Sequence, residues 1–363
     1  MRTHPYFKLA AITATSCLAL LAISANAEDV PTLTIKNFIG TIDVRTGDYD
    51  KITVTDADGA AVDRTHGDVT IDDDQTINNI NCRKSNLSAN ISIGKWTWKK
   101  RKGGYKDLEE FPRVIITAPE NTHLAIDDAI IFGDVDNIGS ADIHVRSCGD
   151  FEFANISGQL DLGIAGSGDF TVGNVGTGDI SIAGSGDFTA RDMQSIEVAL
   201  AGSGDIQIGD VDGPATIRAA GSGDNEIGDV SGDFSFSGAG SGDLNVENID
   251  GDASISIAGS GNIEINRIEG SLIYSGGGSG DFDADYVGGE KFSSKSGGSG
   301  TVDITDGNVT ELHIKVGGSG NVHYDGQSTN AKLYVGGSGE ITIREPSGRL
   351  VKEKHGSGSI RIK

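Results

Sequence analysis

Pairs of apolar residues two positions apart recur along the second half of the chain: Phe170 and Val172, Ile206 and Ile208, Leu244 and Val246, Ile263 and Ile265, Ile341 and Ile343. A period of two places those side chains on one face of a β-strand and the intervening polar residues on the other. A single apolar position follows each pair, as in Val175, Met193, Val211, Val230, Ile249, Ile268 and Val287. A second pair comes next: Ile180 and Ile182, Val198 and Leu200, Ile255 and Ile257, Ile314 and Val316, Leu333 and Val335. The cycle closes on Gly-Ser-Gly followed by a polar residue. Eleven such tetrapeptides begin at Gly166, Gly184, Gly202, Gly221, Gly240, Gly259, Gly278, Gly298, Gly318, Gly337 and Gly356, at intervals of 18 to 20.

A fixed period of this size means one supersecondary unit stacked repeatedly, each burying its apolar face against its neighbours. Three short strands per coil, joined at glycine-rich corners, predict an all-β, right-handed parallel β-helix with about 19 residues per coil; its hand follows the rule for parallel crossovers. At about 4.8 Å per coil the marked repeats make a rod on the order of 50 Å long. Ser147-Cys148-Gly149-Asp150 reads as a degenerate earlier coil and Phe132-Gly133-Asp134 as another, so the β-helix is assigned to residues 129–363. Residues 28–128 lack the tetrapeptide. Alternation at Leu33–Ile35, Thr41–Val44, Lys51–Thr55 and Arg113–Thr117 predicts a β-rich N-terminal region there, either a cap covering the first coil against end-to-end pairing or a continuation of the helix in irregular coils.

Residues 1–27 read as a signal peptide: Arg2 and Lys8 precede an apolar run from Leu9 to Ile23, and Ala25-Asn26-Ala27 offers a small-residue cleavage site. No later run approaches the roughly 20 apolar residues of a spanning helix, so no transmembrane segment is expected after cleavage. Export would expose Cys82 and Cys148 to an oxidising compartment, where they either bridge the N-terminal region to the first coil or remain buried thiols. Charge sharpens the picture. Residues 129–262 carry 3 Lys and Arg against 22 Asp and Glu, whereas residues 263–363 carry 11 against 13. So acidic a centre excludes nucleic acid, which needs clustered cations.

Pro112-Arg113-Val114-Ile115-Ile116-Thr117-Ala118-Pro119 and the repeat from Gly166 to Asp169 onward resemble the head GIN domain family, labelled "putative auto-transporter adhesin". The resemblance implies an exported protein of the bacterial envelope (periplasm, cell surface or secreted) of undetermined ligand; a cell-surface glycan or envelope component is the partner the chain's own surface leads us to expect. It supplies no active site. A self-exporting autotransporter would add a membrane barrel, and none follows these repeats, so a periplasmic home or another export route is equally expected.

Two constellations are candidates for chemistry. The residue after Gly-Ser-Gly is Asp169, Asp187, Asp205, Asp224 and Asp243, with Asp150 before them. Stacked in register, these six carboxylates would form a column in which Ca²⁺, a hard cation bound by oxygen, could sit. The alternative is that each Asp accepts a hydrogen bond from a corner amide. The second constellation is Trp96, Trp98, Lys99, Lys100, Arg101, Lys102 and Tyr105, where aromatic faces beside cations suit a sugar or an anionic polysaccharide; a hairpin covering the end of the helix is the plainer reading. Catalytic templates fail: the histidines show no metal spacing, and Gly-Ser-Gly-Asp lacks the strand-to-helix setting of a nucleophile elbow. The expected function is a non-catalytic adhesion or envelope module without a cofactor, with a calcium-stabilised structural rod and a polysaccharide-active enzyme as alternatives.

Overall fold

The computed structural model describes residues 30–73, 80–85, 88–93 and 106–363. Most of them form a parallel β-helix of about 13 turns, successive turns lying ~19 residues apart, while Ile80–Ser85, Ser88–Ile93 and Lys106–Asp107 make a separate antiparallel sheet. One wall, the long-strand face, is built from the segments that precede each tetrapeptide, such as Val175–Gly184, Met193–Gly202, Ala215–Gly221 and Phe234–Gly240. These pair in register, so that Gly184, Gly202, Gly221 and Gly240 stack. A second wall, the short-strand face, takes the segments that follow: Phe188–Ala190, Ile206–Ile208, Asn225–Ile227 and Leu244–Ile249. The third side is narrow. It is a ladder of single bridges joining Met193, Val211, Val230 and Ile249, continued by Ile268 and Val287.

The three apolar positions of the repeat all point inward. On the short-strand face Phe151, Phe170, Phe188 and Ile206 form one buried column, with Phe170 and Phe188 stacked at 5.9 Å. Asn225 interrupts it. That side chain is 2% exposed between Ile206 and Leu244. At the corner, Gly202 has φ +153, and a Cβ there would lie 1.7 Å from the carbonyl oxygen of Gly184. Coils stack too closely at that point for any side chain, which is why the first tetrapeptide residue is glycine throughout.

At the N-terminal end the coils continue past residue 129 into the region without tetrapeptides. His123–Val135 runs across that boundary as one strand, and Thr32–Lys36 with Ile39–Gly47 already makes a full coil stacked against it in parallel. Beyond that coil lie Asp68–Asp72 and Arg113–Pro119, both parallel to it. Finally Ala61–Thr65 and Thr53–Asp56 pair antiparallel with these outer strands and end the parallel ladder. The chain therefore enters one coil inside the rod, folds outward to close its end, and returns. No tetrapeptide marks this coil, and its partners are distant in sequence: Leu33 sits beside Leu124. A coil does include Gly133, yet it pairs with Phe151, two positions from the Gly149 that the motif alignment would match.

Cys148 is disulfide-bonded, and the strand Ile80–Ser85, which carries Cys82, runs beside Ser140–Ser147. Cys148 also packs with Ile39, Ile130 and Phe132 in a small apolar cluster outside the rod, against Leu108 and Phe111. Among the described residues no helix is long and apolar enough to cross a membrane.

Candidate functional site

The column of corner aspartates is in register, and from Asp169 to Asp243 one oxygen of each carboxylate accepts a backbone amide. Asp187 Oδ1 accepts the backbone N–H of Asp205 at 2.9 Å, Asp205 Oδ1 that of Asp224 at 2.9 Å, and Asp224 Oδ1 that of Asp243 at 2.9 Å. Asp169 Oδ1 accepts from Asp187 at 3.3 Å. Neutral members do the same work: Asn262 Oδ1 accepts from Asp281 at 3.1 Å and Asn321 Oδ1 from Glu340 at 3.0 Å. At the start of the column the amide of Asp169 bonds to the Gly149 carbonyl at 2.9 Å.

The need for these bonds follows from the backbone. Ser203 N–H points back to Gly184 O in the preceding coil, whereas Ile206 N–H points forward to Asp224 O in the next. The main-chain bonding reverses between them, and the amide of Asp205 would be stranded at the reversal without a side-chain acceptor. Two further corners repeat the device: Asp210 N–H donates to Asp192 Oδ1 at 3.3 Å and Asp229 N–H to Asp210 Oδ1 at 3.0 Å, while Asp252 N–H donates to Asp233 Oδ1 at 2.9 Å. Much of the acidic character of the central coils therefore serves stacking.

The outer surfaces carry what remains. On the short-strand face a trough of about 490 Å³ runs along the coils from Thr189 to Glu264. Gly209 and Gly228 form its floor, since neither brings a side chain to the surface and a Cβ on Gly209 would lie 2.0 Å from the Arg191 carbonyl oxygen. One side is a column of Thr189, Gln207, Glu226, Asn245 and Glu264, one residue per coil; Asp192 and Asp210 line the other. Gln207 Nε2 donates to Glu226 Oε2 at 3.3 Å. Arg191 is the sole cation of the lining. Further along this face burial, then Asp303, Asp281 and Glu264, hold the Asp283 carboxyl above the usual carboxylate range.

On the long-strand face Asp142, His144 and Asp161 offer three possible ligand atoms within 4.8 Å of one another. His144 Nδ1 lies 3.0 Å from Asp142 Oδ1. The ring lies beside Gly163, where a Cβ would meet His144 Cδ2 at 2.7 Å. Burial, followed by repulsion from Asp142, raises the Asp161 carboxyl; His144 opposes the shift and Asp179 adds to it. Such a group could take a divalent cation or a cationic side chain.

Trp96, Trp98, Lys99, Lys100, Arg101, Lys102 and Tyr105 lie outside the described residues, as does the segment read as a signal peptide. Neither the trough nor the Asp142 group was legible in the sequence, because each is assembled across coils from residues that are individually ordinary surface types.

No curated protein matches the chain. A crystal structure described as a "putative lipid binding protein" from Parabacteroides distasonis aligns over 92% of this chain and 93% of its own, at 16% identity and a TM-score of 0.16, too low to carry an argument. The profile of the family described as "Putative auto-transporter adhesin, head GIN domain" matches residues 48–229 and 253–363, most of the described β-helix, and the chain belongs to that family.

Proposed function

We propose that the protein is an exported, non-catalytic module of the cell envelope whose short-strand face holds an extended neutral polysaccharide along the rod. The trough carries this reading. It is open along the coil axis, spans about five coils or roughly 20 Å, and offers amide and carboxylate groups at one-coil intervals, which suits repeated hydroxyl groups. Its one cation, Arg191, among Asp192, Asp210, Glu226, Glu247 and Glu264 disfavours a polyanion. Adhesion or envelope attachment accords with the family to which the chain belongs.

An enzyme of this architecture needs a cleft with converging acid, base or nucleophile. Coils that vary only from 18 to 20 residues over the repeats favour an even surface over such a cleft. A calcium-stabilised rod is disfavoured as well, since the corner Oδ1 atoms that would bind the ion accept amide hydrogens.

Affinity electrophoresis of the mature chain in gels containing neutral or anionic envelope polysaccharides tests the proposal. Retardation by a neutral polymer, lost in Gln207→Ala/Asn245→Ala, with no release of reducing ends, is the expected result. Retardation only by polyanions, or release of product, would exclude it.

A further inference from the structure

The long-strand face changes charge along the rod. Its outward column runs from Ala125 to Asp142, Asp161, Asp179 and Glu197, passes through Thr216, Ser235, Ser254, Ile273 and Ser293, and reaches His313 and Lys332 before closing on Val351. The adjacent column is occupied by Ser237 and Ser256 in the middle and by Lys295 and Lys315 toward the C-terminal end, where Tyr334 and Glu353 close it. Beside these, Ala183, Ala201, Ala220 and Ala239 stack, exposed, as a flat strip. Within this wall Ile273 is 52% exposed, one of three large hydrophobic residues so placed among the described residues.

Several charges at the two ends stand outside any ion pair. Among the described residues Asp161 and Asp179 form no ion pair, and neither do Lys295, Lys315 and Lys332, although Lys315 lies 5.1 Å from the centre of the Tyr334 ring. The cations nearer the acidic end are engaged, Arg146 with Asp128 and Arg218 with Glu197.

From this polarity we infer that two copies of the chain pair face to face through their long-strand walls, with rod axes antiparallel. A two-fold axis in the plane of the wall, running along the strands between the coils of Ser237 and Ser256, makes the two halves match coil for coil. Asp161 of one copy then opposes Lys332 of the other, Asp179 opposes the coil of His313 and Lys315, and Glu197 opposes the coil of Lys295. The middle, where the two backbones approach most closely, carries serine and alanine. Ile273 falls opposite the coil of Thr216 and Arg218, where its apolar surface meets a methyl group and an arginine stem.

Size agrees. A wall about twelve coils long and seven residues wide offers on the order of 1,300 Å² per copy, above the roughly 800 Å² of a standard interface. Self-complementarity is what an isologous pair demands. The short-strand trough stays open in this pair, so polysaccharide binding and pairing are separable.

Sedimentation equilibrium of the mature chain at low ionic strength should give a dimer whose dissociation constant rises at least tenfold on addition of 300 mM salt. Lys315→Glu/Lys332→Glu and Asp161→Lys/Asp179→Lys should each weaken it at least a hundredfold, because each places like charges opposite one another. Mixing the two variants in equal amounts should restore a heterodimer, which no loss of folding could do. A parent that stays monomeric at low salt up to 100 µM, or variants that fail to complement one another, would overturn the inference and leave the wall to a different partner.

Discussion

Replacing Asp205 by alanine and by asparagine separates the two roles a corner carboxylate can have. Asp205 Oδ1 accepts the Asp224 amide at 2.9 Å, and Asp187 and Asp224 stand one coil away on either side. A hydrogen bond to a charged acceptor contributes about 1.5–3 kcal/mol. Repulsion from each like-charged neighbour at about 5 Å takes back roughly 1 kcal/mol in water. Asp205→Ala loses the bond and is relieved of both repulsions, leaving a net loss of about 0–1 kcal/mol. Asp205→Asn keeps a neutral acceptor, as Asn262 does at 3.1 Å in the same column, and sheds the repulsion. It should equal or exceed the parent and stand about 1–2 kcal/mol above the alanine variant. Urea unfolding followed by circular dichroism, with EDTA and with millimolar Ca²⁺ or Mg²⁺ at fixed ionic strength, reads both differences as midpoint shifts. If asparagine were as harmful as alanine, or if Ca²⁺ raised the parent midpoint beyond the Mg²⁺ control but not that of Asp205→Asn, the corner column would be an ion site and the reasoning refuted.

Other substitutions probe the core, the corner and the acid response. Asn225 Oδ1 is buried without a hydrogen-bond partner, so Asn225→Leu, flanked by Ile206 and Leu244, should raise the urea midpoint by an amount equivalent to about 1–3 kcal/mol; a lower midpoint would show that the amide is needed. Gly202→Ala should cost about 3 kcal/mol or more, since its Cβ would strike the Gly184 carbonyl oxygen, and unchanged unfolding would contradict the stacking described. Asp283 has its carboxyl raised in the fold by burial and by neighbouring carboxylates, so its contribution is favourable below the unfolded value and is lost as pH rises through the folded one. Asp283→Asn should therefore stabilise the protein at neutral pH, with the gain vanishing below about pH 4; a gain independent of pH would assign the effect to something other than charge.

The repeat was legible because each coil uses the same three inward positions and the same glycine corner; Phe170, Val175 and Ile180 point inward as alternation predicts. The coil of Thr32–Gly47 was not, since its strands pair with residues far along the chain and a single coil has no period. The corner aspartates were visible as a column. Their role as acceptors was one of two readings until the register showed that the amide of Asp205 lacks a main-chain partner. Surface chemistry was hidden for a related reason: Gln207, Glu226 and Asn245 are unremarkable one at a time and become a lining only when coils stack them.

Carboxylate footprinting of the mature chain tests the polysaccharide trough most directly, because acidic groups mark every face. With a retarding neutral polysaccharide bound, carbodiimide-driven amidation should slow at Glu226, Glu247 and Glu264 and continue unchanged at Asp142, Asp161 and Asp179. Protection of the long-strand aspartates with the trough glutamates left reactive would contradict the account.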